Sequence, residues 1–297
     1  MCSKKKMKPS IEDYYVMQDD IMKQLQQADA IIVGAGSGLS TAAGLHYDGK
    51  RFQQYFEDFI QEYGFQDMYS AGFYPFETLE QYWAYWSRFI YVNRYDAGTR
   101  KLYRDLYSIL HKKEYFVITS NVDHQFQING FDKQRLFYMQ GDYGLLQCSG
   151  PCHTKTYENE SLIKHMVSTQ KNLRILSKDI PLCPICHQPM IPNLRCDDRF
   201  VEDEGWYAAK QRYETFLKLH KQDRVVFLEL GVGFQTPGII KYPFWRMTAV
   251  RKDAVYIAIN QEDVMCPNEI MDRSLLCKMP IETCVNAWMS SHLSKST

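Results

Sequence analysis

Net charge is the first thing this chain lacks. Its 35 lysines and arginines balance 35 aspartates and glutamates, so no overall field draws it to nucleic acid or to an anionic membrane. No apolar run approaches the roughly 18 residues of a membrane span. The amino-terminal MCSKKKMKPS carries charge with no apolar segment behind it, unlike a secretion signal. We therefore expect a cytoplasmic protein with neither a nucleic-acid nor a membrane partner. Internal repeats and low-complexity tracts are also missing, and the eight histidines include no pair at zinc-ligand spacing. Nine cysteines without a secretion signal fit free thiols and metal ligation better than a disulfide framework. Apolar residues are plentiful, at 45% of 297, which is ample for a core.

Four short apolar, β-branched-rich runs, 30–33, 115–119, 224–230 and 254–259, have the pattern of strands buried on both faces of a parallel sheet. Helical patterns lie between and around them, at 13–27, in the heavily aromatic ETLEQYWAYWSRFIYV (77–92) and over 98–112. The aromatic stretch reads as a helix packed against the domain that carries the strands, in preference to a base-stacking surface. The alternation breaks between Gln147 and Arg195 into a polar, cysteine-bearing segment. We expect an α/β fold: a discontinuous Rossmann-type domain over 13–146 and 197–290, a small module inserted at 147–196, and an aromatic helical insert over about 73–112.

Two motifs carry chemistry. In AIIVGAGSGLSTAAGL (30–45) four glycines fall within eleven residues directly after a strand, a turn that brings backbone N–H groups toward a phosphate at a helix start. It departs from the dinucleotide fingerprint G-x-G-x-x-G, and no acidic residue closes a second strand about 20 residues on, so a dehydrogenase is disfavoured. The second motif is two cysteine pairs, Cys148 with Cys152 and Cys183 with Cys186. Their spacing suits a tetrahedral thiolate site for a structural zinc ion with no open position for a catalytic water. Unligated buried cysteines, or His153 or His187 in place of one thiol, are the alternatives; Cys196 reads as a packed thiol. Polar residues also follow the other strands: Ser120, Asn121 and Asp123, then Gly231 and Gly233, then Asn260. Ligands of open α/β sheets bind at such strand ends.

Taken in order, GSGLSTAAGL (36–45), TSNVD (119–123), QGD (140–142), the two cysteine pairs, LRCDDRFVED (194–203), GVG (231–233) and IN (259–260) resemble the sirtuins. With the aromatic insert, the pattern resembles their macrodomain-linked class M. The resemblance implies a Rossmann-type domain, a small zinc module and an NAD-binding cleft between them. It implies that Gly36, Ser37, Gly38 and Ser40 wrap the phosphates of NAD, that Asn121 holds the nicotinamide ribose and Asp123 the carboxamide, and that Gly231, Gly233 and Asn260 line the adenosine half. Arg51 and Phe52 would replace the family motif that caps the nicotinamide.

Gln140 stands where the resemblance places a catalytic histidine. An amide hydrogen-bonds a hydroxyl but takes up no proton near neutral pH, and losing a general base costs about 10² to 10⁴ in rate. Asp142 or His124 is the alternative base. Asp198 and Arg199 occupy the place of two valines that flank an acyl-lysine; they are poor walls for an apolar chain and could pair with each other. The resemblance thus implies an NAD-dependent protein ADP-ribosyltransferase that releases nicotinamide. Its implied acceptor is a lipoyl-carrier protein of the glycine cleavage H type, a macrodomain hydrolase removes the mark, and the setting is oxidative stress. An NAD-dependent deacylase and a non-catalytic NAD or ADP-ribose sensor are the rival readings.

Overall fold

Each of the four apolar runs forms a strand and the four lie side by side, because a segment buried on both faces has no polar side to leave in water. The computed structural model describes residues 11–262 and 264–293; the lysine run at 4–6 lies outside them. The strands are β1 (Ala30–Ala35), β2 (Tyr115–Thr119), β3 (Leu136–Tyr138), β4 (Gly141–Cys148), β5 (Tyr157–Glu158), β6 (Met190–Leu194), β7 (Val225–Leu230), β8 (Val255–Asn260) and β9 (Ser274–Lys278). Six of them make a parallel sheet in the order β3-β2-β1-β7-β8-β9. Every residue of β1, β2 and β7 is buried. The order reverses between β1 and β7, and such a switch point opens a crevice beyond the carboxyl ends of the strands.

Helices cover both faces. Ile21, Leu106 and Trp288 belong to the core on one face, Trp206, Tyr213 and Phe244 to the core on the other. The one acidic residue in the strands of the six-stranded sheet, Glu229, is 1% exposed. It is paired with Lys241 and accepts from Tyr256 Oη at 2.7 Å, as a buried carboxylate requires.

The aromatic stretch is helical, as its spacing suggests, over Leu79–Ile90 with a π-helical turn at Tyr91–Tyr95. Thr78 and Gln81 close a reciprocal capping box at its start. Its partner differs from the expectation. Trp83, Tyr85 and Phe89 share one core with Phe56, Leu146, Ile163, Met166 and Cys183, so the aromatic helices pack with the cysteine module rather than against the six-stranded sheet. The pattern marks an apolar face but carries no information on what meets it. The module's own sheet, β5-β4-β6, is antiparallel and opens at Gly141, ahead of the boundary read at 147.

Candidate functional site

The carboxyl ends of β1, β2, β7 and β8 open onto a cleft of about 680 Å³, within the range of small-molecule sites. Gly36, Ser37, Gly38, Ser120, Gly231, Gly233 and Asn260 all line it.

The glycines work differently from the sequence expectation. The helix after β1 is only six residues long, Ser37–Ala42. The Gly36 N–H donates to Leu230 O and the Gly38 N–H to Gly231 O, both at 3.0 Å, so two of the backbone donors expected at a phosphate are spent within the fold. What the glycines allow is contact between two turns. A Cβ on Gly36 would stand 2.6 Å from Gly231 O, one on Gly38 2.8 Å from Gly231 Cα, and Gly231 itself has φ 62°. A Gly36→Ala variant should therefore push the turns apart and cost about 1–3 kcal/mol, the usual price of overpacking. Chemical denaturation read by circular dichroism measures it; an unchanged midpoint would contradict the interlock.

Beyond β2 the chain makes a polar turn instead of continuing the strand. Asn121 is 9% exposed and its Nδ2 donates to Gly36 O at 2.9 Å. Asp123, 4% exposed, accepts from Ser40 Oγ at 2.5 Å and from the Gln125 N–H at 3.1 Å. Ser40 Oγ lies 3.1 Å from Tyr103 Oη. Burial pushes the Asp123 carboxyl above its usual range. The fold thus gathers Gly36, Ser40, Asn121 and Asp123, residues more than 80 positions apart in two groups. Those two carboxylate contacts use about half of the acceptor capacity of Asp123.

Gln140 is half-buried at the foot of β4, and its backbone carbonyl accepts from the Arg195 backbone N–H at 3.0 Å. Asp142 lies two residues on, 5% exposed. Its Oδ1 accepts from Arg94 Nε at 2.9 Å and from the Gly144 N–H at 2.7 Å, and its Oδ2 lies 2.5 Å from His124 Nδ1. Although burial opposes ionisation, His124 and Arg94 hold this carboxyl below its ordinary range. Asp142 is thus held ionised, with both of its oxygens already accepting within the fold.

Other expected site residues sit elsewhere. Phe52 is 2% exposed inside the aromatic core, its ring 5.6 Å from that of Phe56, so it caps nothing in the cleft. Arg51 donates to His46 O, Val92 O and Asn93 Oδ1 at 2.7–2.9 Å, tying His46, which does line the cleft, to the aromatic helices. Arg199 pairs with Asp197, Nε to Oδ2 at 2.9 Å, and not with Asp198; Asp197 also caps the Arg199 N–H at 2.9 Å, a short turn that favours this partner. Cys196 is exposed, where a packed thiol was expected. Arg94, Tyr103 and Gly144 carried no sequence signal, since nothing local marks their partners.

The four module cysteines converge. Their sulfurs all lie within 4.8 Å of one another, with Cys148 to Cys186 at 3.5 Å and Cys152 to Cys183 at 3.6 Å. Thiolates at about 2.3 Å from a tetrahedral zinc ion stand roughly 3.8 Å apart, so this donor set is compatible with structural zinc. His153 Nε2 lies 3.4 Å from Cys183 Sγ, outside the set of four.

No protein-family model matches the chain. It is 40% identical, over 88% of its own length and 83% of the other's, to a protein ADP-ribosyltransferase of Staphylococcus aureus. It is 33% identical, over 74% of its length, to a probable bifunctional ADP-ribose hydrolase/ADP-ribosyltransferase of Fusarium oxysporum, of which it spans 38%. Among solved structures, Sir2Tm bound to a propionylated peptide superposes with a TM-score of 0.61 at 17% identity, covering 93% of this chain and 98% of that one. A Sir2 complex with a p53 peptide and NAD+ gives 0.56 at 16% identity, again over 93% and 98%. These establish a sirtuin fold. No helix among the described residues is long and apolar enough to cross a membrane.

Proposed function

The chain belongs to the protein ADP-ribosyltransferases, here on a sirtuin fold, and from that premise we propose how it acts and on what. It is an NAD-dependent enzyme that transfers ADP-ribose to a protein and releases nicotinamide. The observation that carries this is the pair of relatives named for that activity, the first at 40% identity over most of both chains.

NAD is a substrate here, consumed at each turnover. We assign Gly36, Ser37, Gly38, Gly231, Gly233 and Asn260 to its binding in the cleft they line. Asn121 orients the ribose beside the glycine turn, and Asp123, kept rigid by Ser40, accepts from the carboxamide of the nicotinamide. Breaking the bond between the ribose carbon and the nicotinamide nitrogen sends the electron pair to the nitrogen, and an acceptor oxygen bonds to the same carbon. Gln140 beside the ribose supplies a hydrogen bond and no proton acceptor. A carboxylate acceptor suits that arrangement because it is already ionised at neutral pH. The same amide weighs against deacylation, which needs a proton taken from a ribose hydroxyl.

We further propose that the acceptor is a lipoyl-carrier protein of the glycine cleavage H type and that a macrodomain hydrolase reverses the mark, as in class M sirtuins. For the hydrolase alone there is support in the fungal relative, whose name joins an ADP-ribose hydrolase to the transferase. A zinc ion on Cys148, Cys152, Cys183 and Cys186 completes the small unit; four thiolates leave no open position, so it holds structure only. Incubation with adenine-labelled NAD and the carrier, with and without lipoylation, tests the reaction. Label should remain on the carrier and leave with neutral hydroxylamine, as an ester does. Label found only in free ADP-ribose or its acyl ester would overturn the reading.

A further inference from the structure

We propose that Asp142 is a positioning residue for this transfer, acting through His124 on the turn that carries Asn121 and Asp123; this rests on the reading of that turn as the nicotinamide end of the site. The turn at 120–124 has no strand or helix of its own to hold it. One side is tied to the glycine turn, through Asn121 to Gly36 O and Asp123 to Ser40. The other side is tied to the small unit, where the Tyr143 N–H donates to Val122 O at 3.0 Å and Asp142 meets the His124 imidazole. Of these small-unit ties only the second is charged, and it extends further. The other oxygen of Asp142 binds Arg94, which sits in the π-helical turn Tyr91–Tyr95. One buried carboxylate therefore joins the turn to β4 and to the aromatic helices.

The backbone of His124 is itself unusual. Its φ of 64° is left-handed, a region that a residue with a Cβ occupies only when its surroundings impose it. Among the described residues Asp142 is the sole polar partner of the His124 side chain, and the other ring nitrogen bonds to no protein group. The imidazole thus ties Asp142 to the peptide directly after Asp123. If that tie is released, the Asp123 carboxylate loses its fixed direction on one side while the glycine turn, where most of NAD would bind, is untouched.

Two variants test this, His124→Gly and Asp142→Asn, each measured for nicotinamide release, for equilibrium binding of NAD and for thermal melting. Glycine relieves the left-handed backbone, while Asp142 loses one partner and keeps Arg94 and the Gly144 N–H, so His124→Gly should stay folded and melt within a few degrees of the wild type. Its kcat should nevertheless fall about tenfold or more, as misplacement of a catalytic group does, with NAD binding within about threefold. A role in stability alone would move activity and melting together. Asp142→Asn should lower kcat similarly, and the double variant should be no slower than the slower single, because both changes cut one tie. If Asp142→Asn does not fold, His124→Gly decides alone. An active wild type matched in kcat by His124→Gly removes the positioning role and leaves the transferase reading intact. A wild type that releases no nicotinamide with its acceptor removes the reading, and the proposal with it.

Discussion

An Asn121→Ala variant is expected to bind NAD nearly as well as the wild type and to release nicotinamide about a hundredfold more slowly, the scale on which a misplaced reacting group lowers rate. The side chain is 9% exposed and directed at Gly36 O, so it stands where the glycine turn and the polar turn meet. The residues proposed for the adenosine half are others, those after β7 and β8 that line the cleft. Loss of the amide also strips Gly36 O of a donor, which should cost about 1–2 kcal/mol of stability. Isothermal titration with NAD and chromatography of released nicotinamide separate the two effects. Equal losses in affinity and rate would show that Asn121 merely binds; an unchanged rate would remove it from the chemistry.

Cys183→Ser should have the largest effect on the fold. Cys148 and Cys183 are both fully buried, and both belong to the core that holds Trp83 and Trp86. A structural zinc ion contributes about 10–16 kcal/mol in small zinc-binding peptides, and a hydroxyl is a poor substitute for a thiolate. The variant should lose its metal, and the small unit should unfold ahead of the six-stranded sheet, which has separate cores on its two faces. Tryptophan emission, red-shifting as Trp83 and Trp86 meet water, follows the small unit; elemental analysis of the wild type should find one zinc per chain. A variant that melts as the wild type does would show that the four thiols need no ion.

What the sequence disclosed follows from how local each signal was. The runs at 30–33 and 115–119 were legible as strands because burial on both faces leaves them uniformly apolar. The edge strands β3 and β9 were not: β3 has only three residues, too short a run to mark a strand, and four of the five in β9 are partly or fully exposed. The cysteine pairs were legible because metal ligation imposes a spacing on the chain itself. By contrast, the contacts of Asp142 with Arg94 and His124 span 48 and 18 residues, and nothing local in RYD or DHQ announces them. The aromatic helix shows the same limit, since its period fixed the buried face and left the neighbour open. Phe52 was misread for a related reason: its place in the motif order suggested the cleft, while its spacing to Phe56 and Phe59 matched the aromatic core in which all three lie.

In the mechanism proposed here, the cleft separates nicotinamide from ribose and, with an amide at Gln140 in place of an imidazole, passes the sugar to a ready carboxylate. The most direct measurement places the wild-type enzyme, NAD, the lipoylated carrier and an acetyl-lysine peptide in one vessel and follows both proteins by intact mass. The expected result is a carrier heavier by one ADP-ribose and a peptide that keeps its acetyl group. A peptide that loses its acetyl group while the carrier stays unmodified would contradict the claim.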